Sequence, residues 1–139
     1  MTESRAVLAQ RFVDYTNTAK LDALGDFLTD DFILHHPLHA DPLKGADGFR
    51  TVTAPVRAAY PDFSLGVEEV VAEGDLVAVR WALHGTHQGV LMGIHATGVK
   101  VTVPGVFFMC YRGDKLAEMR IIADNLGMIR QLGVEPLSS

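Results

Sequence analysis

Apolar residues recur with a period of about 3.6 in the first half of the chain and alternate singly in the second half. Val7, Leu8, Phe12 and Tyr15, with Arg11 on the same stripe, predict a helix over residues 3–17, which Thr2 or Ser4 is suited to cap. Leu21, Leu24, Phe27 and Leu28 repeat the spacing and predict a second helix over 20–28. That helix is short, because Gly25 weakens it by about 1 kcal/mol relative to alanine. Residues 32–36 read as a brief strand ended by Pro37, and 39–44 as a loop. Phe49, Val52, Val56 and Ala59 predict a third helix over 45–60, which Pro55 should kink or divide.

From Phe63 the pattern is that of strands. Phe63, Leu65, Val67, Val70 and Val71 lead to a turn at Glu73-Gly74-Asp75. The next strand, 76–85, places Val77, Val79, Trp81 and Leu83 on one face and Ala78, Arg80, Ala82 and His84 on the other. The two strands and their turn read as a hairpin. A glycine-punctuated segment, 85–98, precedes a strand over 99–112 in which Pro104-Gly105 suggests a bulge. Arg112-Gly113-Asp114 turns the chain into a last strand, 115–125. There Glu118, Arg120, Ile122 and Asp124 share one face, with Met119, Ile121 and Ala123 on the other, and a short helix follows. Helices first and an antiparallel meander afterwards make an α+β fold, expected as one domain over residues 1–139. A bent sheet capped by helices leaves a concave space suited to a small ligand.

Composition narrows the function. Of 139 residues, 48% are hydrophobic and 21% charged, an ordinary globular balance. A formal net charge of −5 without a basic stripe argues against nucleic-acid binding. The single cysteine, Cys110, excludes an internal disulfide and a thiolate metal cluster, and reads as a buried small hydrophobe. No apolar run approaches the ~18 residues of a membrane span and the N-terminus has no signal-peptide pattern, so a cytoplasmic location is expected. Neither a dinucleotide fingerprint nor a P-loop is present. One carboxylate stands out. Asp124 lies among Ile121, Ile122, Ala123, Leu126, Met128 and Ile129. Facing a dry cavity, it would be raised toward neutrality and fitted to proton transfer.

Several stretches resemble the SnoaL-like polyketide cyclase family of the NTF2-like superfamily. They are Tyr60-Pro61-Asp62-Phe63, the run 70–80 with Trp81, Gly85-Thr86-His87-Gln88-Gly89, Gly93-Ile94, Thr97-Gly98, and the tail of Asp124, Leu126-Gly127 and Gln131-Leu132-Gly133. The resemblance implies an NTF2-like cone: N-terminal helices packed on a strongly curved antiparallel sheet enclosing a hydrophobic pocket. It also implies a homodimer formed through the outer sheet face, with no cofactor and no metal. The implied chemistry is aldol-type cyclisation or isomerisation of a (poly)ketide-like carbonyl substrate, in the lyase or isomerase class, with Asp124 as general acid/base. His35 stands where the family often has a pocket histidine before a proline, and His87 matches the histidine of its Gly-Thr-His turn. The residues ahead of Asp124 are aliphatic here, where many relatives have aromatic and acidic ones, and His36 replaces what is often an acidic residue.

The candidate site is therefore Asp124, His35 and His87 as catalytic groups, with Arg120, Trp81, Tyr15, Phe49, Ile122 and Phe107 binding the substrate. Each has a second reading. Asp124 is also suited to cap the terminal helix. Arg120 can pair with Glu118 or Asp124 rather than stabilise an enolate. Alternation allows only one of His35 and His36 to enter the pocket, and Pro37 denies the His35-His36-Pro37-Leu38-His39 run a helical metal-ligand spacing. His87 suits a pocket mouth or a solvated loop, and the aromatic residues suit the core. Two other functions compete: a non-catalytic small-ligand-binding dimer module with Asp124 spent as a cap, and an epoxide-hydrolase-like hydrolase.

Overall fold

A computed structural model describes residues 4–18 and 20–134; Thr2, one of the two candidate caps, lies outside them. Helix α1 spans Arg5–Thr16 and is capped by Ser4, whose hydroxyl accepts from the Val7 amide at 3.2 Å. The second expected helix is a single 3-10 turn at Leu24–Asp26. Strand β1 (Leu28–His35) starts four residues earlier than its pattern suggested, because Leu28 and Phe32 are buried strand residues rather than a helical stripe. After the two-residue strand β2 (Leu43–Lys44), helix α2 runs unbroken over Gly45–Ala59 with Pro55 inside it. Proline removes one backbone donor there, on an exposed position, and the flanking turns hold.

Strands β3 (Ser64–Glu73), β4 (Leu76–Thr86), β5 (Lys100–Arg112) and β6 (Lys115–Ala123) form the expected meander, and helix α3 (Asn125–Gln131) follows. The six strands lie in the order β2-β1-β6-β5-β4-β3. The sheet is mixed rather than antiparallel throughout, since β1 runs parallel to β6 with Leu34 opposite Met119 and His35 opposite Arg120. Neighbouring partners share a face. Leu34 and Met119 therefore point into the core, and His35 and Arg120 point out.

The core lies between the concave sheet face and the helices. Phe12 of α1 meets Phe49 of α2 edge-on, with centroids 5.5 Å apart. Val77, Val79, Trp81 and Leu83 of β4 are buried, as their alternation predicts. Pro104-Gly105 forms no bulge: the register of β5 against β4 passes through it unbroken. Gly105 has a different reason, because a Cβ there would collide with the six-membered ring of Trp81. No helix among the described residues is long and apolar enough to cross a membrane.

Candidate active site

Helix α2 supplies one wall of the cavity between sheet and helices. Phe49, Val52, Thr53, Val56 and Arg57 fall at spacings of three and four, so they form a single stripe facing the sheet. Opposite them stand Trp81 and Leu83 of β4, Val103 and Phe107 of β5, and Met119, Ile121 and Ala123 of β6. Phe12 and Thr16 of α1, Phe63 just before β3 and Leu65 within it, His36 just past β1, and Asn125 at the start of α3 complete the lining. The space is about 750 Å³ including its open mouth and the solvent in it. Trp81 is 4% exposed and packs against Phe107 with ring centroids 5.0 Å apart. The cavity is thus an apolar slot with aromatic walls and few polar groups.

Three of the expected substrate-binding residues, Trp81, Phe49 and Phe107, line it. The others stand elsewhere. Tyr15 is stacked on Phe27 with centroids 4.4 Å apart, and its hydroxyl accepts from the Ala23 amide at 2.8 Å. Arg120 and Ile122 lie on the outer sheet face, Ile122 being 55% exposed. The alternation of β6 has the expected phase, but the face with Met119, Ile121 and Ala123 is turned inward and the face with Arg120 and Ile122 outward.

The histidines sort by the same geometry. His35 lies on the outer face with Nε2 3.5 Å from Glu118 Oε2, too far for a good hydrogen bond. His36, one residue on, is the one that enters the cavity. Its Nδ1 accepts from the Leu38 amide at 3.1 Å, which leaves the proton of the neutral ring on Nε2. Burial, then the neighbouring His39, hold its pKa below the ordinary imidazole value of 6.5, so the neutral form prevails at pH 7. His87 is 0% exposed but does not line the cavity. Its Nδ1 accepts from the Thr97 amide at 3.2 Å and its ring lies 5.9 Å from that of Tyr60, so it braces the segment after β4.

Asp124 caps α3. Its Oδ1 accepts from the Gly127 amide at 2.8 Å, and a Cβ on Gly127 would strike the carboxylate. The Leu-Gly of the tail therefore has a local cause. Gln131 adds a second clasp, its side-chain amide bonding both the carbonyl (2.8 Å) and the amide (2.9 Å) of Thr102 in β5. Asp124 is exposed and is not part of the cavity lining, so the dry setting expected from its neighbours is absent. It does sit at the rim: the residues on either side, Ala123 and Asn125, both line the cavity.

Sequence reasoning chose His35 over His36, and passed over Arg57, Thr16, Thr53, Ile121 and Asn125 as lining residues. A signal existed for two of the residues passed over. Thr53 and Arg57 sit four and eight residues after Phe49, on a stripe that is otherwise apolar. Among the described residues no group of three His, Cys, Asp or Glu side chains is arranged to hold a metal ion.

Comparison with known proteins agrees with this architecture. The model of the SnoaL-like polyketide cyclase family matches residues 6–132. The chain is 30% identical over 129 residues to aklanonic acid methyl ester cyclase DauD of Streptomyces sp. (strain C5), covering 91% of this chain and 80% of that protein. It is 28% identical over 123 residues to nogalonic acid methyl ester cyclase of Streptomyces nogalater, covering 84% of this chain and 88% of that one. The crystal structure of IdmH from Streptomyces antibioticus superposes with a TM-score of 0.85 at 27% identity, over 95% of this chain and 100% of that one. With its helices packed on a curved mixed sheet around an apolar cavity, and a family match over nearly the whole length, the chain belongs to the SnoaL-like polyketide cyclase family.

Proposed function

We propose that the protein is a cofactor-independent cyclase that closes a ring on a polyketide-type carbonyl compound by intramolecular aldol addition. The observation that carries this is the aromatic-walled slot, in a chain 30% identical to an aklanonic acid methyl ester cyclase over 91% of its length. A flat polycyclic skeleton suits walls made by Trp81, Phe107 and Phe49. The step removes a proton from a carbon next to a carbonyl. The resulting enolate carbon attacks a second carbonyl of the same molecule, one carbon–carbon bond forms, and the new alkoxide takes a proton back. Atoms and electrons balance, and the product is an isomer of the substrate.

Asp124 is the proposed general acid/base, working from the rim. Its position between two lining residues supports this, with one oxygen engaged in the cap. His36 is the proposed donor to the carbonyl oxygen, through the Nε2–H that the Leu38 contact leaves available. The side-chain amide of Asn125 makes no protein hydrogen bond among the described residues and is a second donor at the same end. The outer sheet face, where Phe108 and Ile122 are 38% and 55% exposed, is the proposed homodimer surface; sedimentation at micromolar concentration checks it, and a monomer there rejects it.

The test is chromatography of aklanonic acid methyl ester and nogalonic acid methyl ester incubated with the protein. An isomeric, ring-closed product is expected, and no conversion of either rejects the substrate class. Asp124→Asn separates two roles of one residue, because asparagine caps as well as aspartate but is no base. A fall in kcat of roughly a hundredfold or more at unchanged melting temperature is expected. Unchanged turnover removes Asp124 from the mechanism. A second reading is favoured by the capped Asp124 and by a lining without carboxylates: the cone as a non-catalytic binder. Tight binding of polycyclic ketones without turnover would decide for it. An epoxide-hydrolase-like reaction usually requires a second carboxylate or polar partner beside Asp124 to position water, and no carboxylate lines the cavity.

A further inference from the structure

The cavity holds a cation and no carboxylate. Arg57, in the last turn of α2, is half-buried and lines the slot. Its guanidinium lies over the Phe63 ring, 5.0 Å from the centroid, and Nη2 donates to the Thr16 carbonyl. Its Nε–H is buried and finds no protein acceptor. A guanidinium has five N–H donors and stays charged at any ordinary pH, so most of its hydrogen-bonding capacity is unused.

Four other arginines have carboxylate partners, while Arg120 and Arg130 stand exposed to water and need none. Arg80 pairs with Glu68 and Glu69, Arg112 with Asp31, Arg5 with Asp75 and Arg50 with Asp47. No acidic side chain within ion-pair distance answers Arg57 among the described residues, and no Asp or Glu is found in the lining of its cavity. Burial lowers its pKa, and Tyr15 is the one neighbour that favours the charged form. A partly desolvated cation without a counter-ion is costly. The arrangement is stable once an anion enters, and the aromatic walls determine what carries that anion.

We propose that Arg57 anchors an anionic oxygen on a flat aromatic ligand, a carboxylate or an ionised phenol or enol, so that the cavity selects the ionised ligand over its neutral counterpart. The proposal rests on reading this cavity as the substrate site. It places the charged end of the ligand against the α1–α2–β3 corner, where Thr16, Arg57 and Phe63 meet, and leaves the His36–Asn125 end for the reacting carbonyls.

Trp81 is the single tryptophan of the chain and lines the slot, so its fluorescence reports occupancy directly. The probes are anthraquinone-2-carboxylate, its methyl ester, and 2-hydroxyanthraquinone titrated through its phenol ionisation. The wild type should bind at least one anion about tenfold more tightly than its neutral counterpart, the carboxylate over the ester or the phenolate over the phenol. The hydroxyanthraquinone should tighten as it ionises if a phenolate serves, and stay constant if only a carboxylate does; either outcome fits, provided one anion is preferred. Arg57→Met should bring the carboxylate-to-ester ratio to about one while ester binding changes little, and Arg57→Lys should retain part of the preference. Added salt should weaken carboxylate binding to the wild type and leave the ester alone, a measurement that needs no variant to fold. Equal binding of acid and ester by the wild type together with no tightening of the hydroxyanthraquinone on ionisation, or an unchanged anion preference in Arg57→Met, overturns the proposal. Turnover is not read in any arm, so a failed cyclase assay and a failed anion preference are distinguishable.

Discussion

Strand β4 and the junction of β6 with α3 carry equally regular alternation, and they use it differently. In β4 the large apolar residues Val77, Val79, Trp81 and Leu83 share a face whose opposite holds Ala78, Arg80, Ala82 and His84. The contrast between faces is wide, and hydrophobic burial turns the large face inward. In β6 both faces contain isoleucine: Met119, Ile121 and Ala123 go in, while Glu118, Arg120 and Ile122 go out. A carboxylate that continues the second face leaves the strand on the outside, and Asp124 becomes a helix cap. Phase is a local property of the strand. Which phase faces the core depends on what the neighbouring strands and helices bring to it.

The comparison can be strained first at Trp81. Trp81→Ala should cost about 3–5 kcal/mol in denaturant unfolding, since the truncation leaves a cavity beside Phe107 that the sheet cannot close. A cost below about 1 kcal/mol would mean that the wall is not packed as described. Gly105→Ala pushes on the same ring from the next strand and should cost about 1–3 kcal/mol with a shifted Trp81 emission; unchanged emission would contradict the close approach. At the other region the effects shrink. Asp124→Ala should lose about 1 kcal/mol through the missing cap, and Asp124→Asn very little. Equal losses in both would remove the cap as the cause.

His36 gives a pH dependence. Its folded pKa is lowered from 6.5, so as pH falls through that value the unfolded chain takes up the proton first. Stability is therefore lost as pH drops below 6.5, and the loss levels off once the folded ring protonates too. Thermal melts between about pH 7.5 and 5.5 should fall more steeply for the wild type than for His36→Gln, and parallel curves would contradict the shift. The smallest effect is expected at Arg120→Ala, within about 0.5 kcal/mol, because the side chain is exposed on the outer face.

Much of this architecture is legible in the chain. The α1 stripe and its Ser4 cap, the α2 stripe through Phe49 and Val56, and the four meander strands follow from period and turn chemistry. The run from Leu21 to Leu28 misleads, because its spacing satisfies a helix while Leu28 and Phe32 are claimed by β1. Gly105 shows the same limit. Sequence marks a glycine inside a strand, and only the Trp81 ring on the next strand says why it is there.

The sequence by itself determined the helical stripes of α1 and α2, the meander strands and their alternation, because these rest on periodicity and on the burial of large apolar side chains. The tertiary structure alone decided that β1 lies parallel to β6, that His36 and not His35 enters the cavity, that Asp124 caps at the rim, and that Arg57 stands inside without a carboxylate. Each of these depends on which elements meet across the core. Contacts between residues far apart in the chain fix the inward side of a strand and the counter-ion of a charge, and local spacing carries neither.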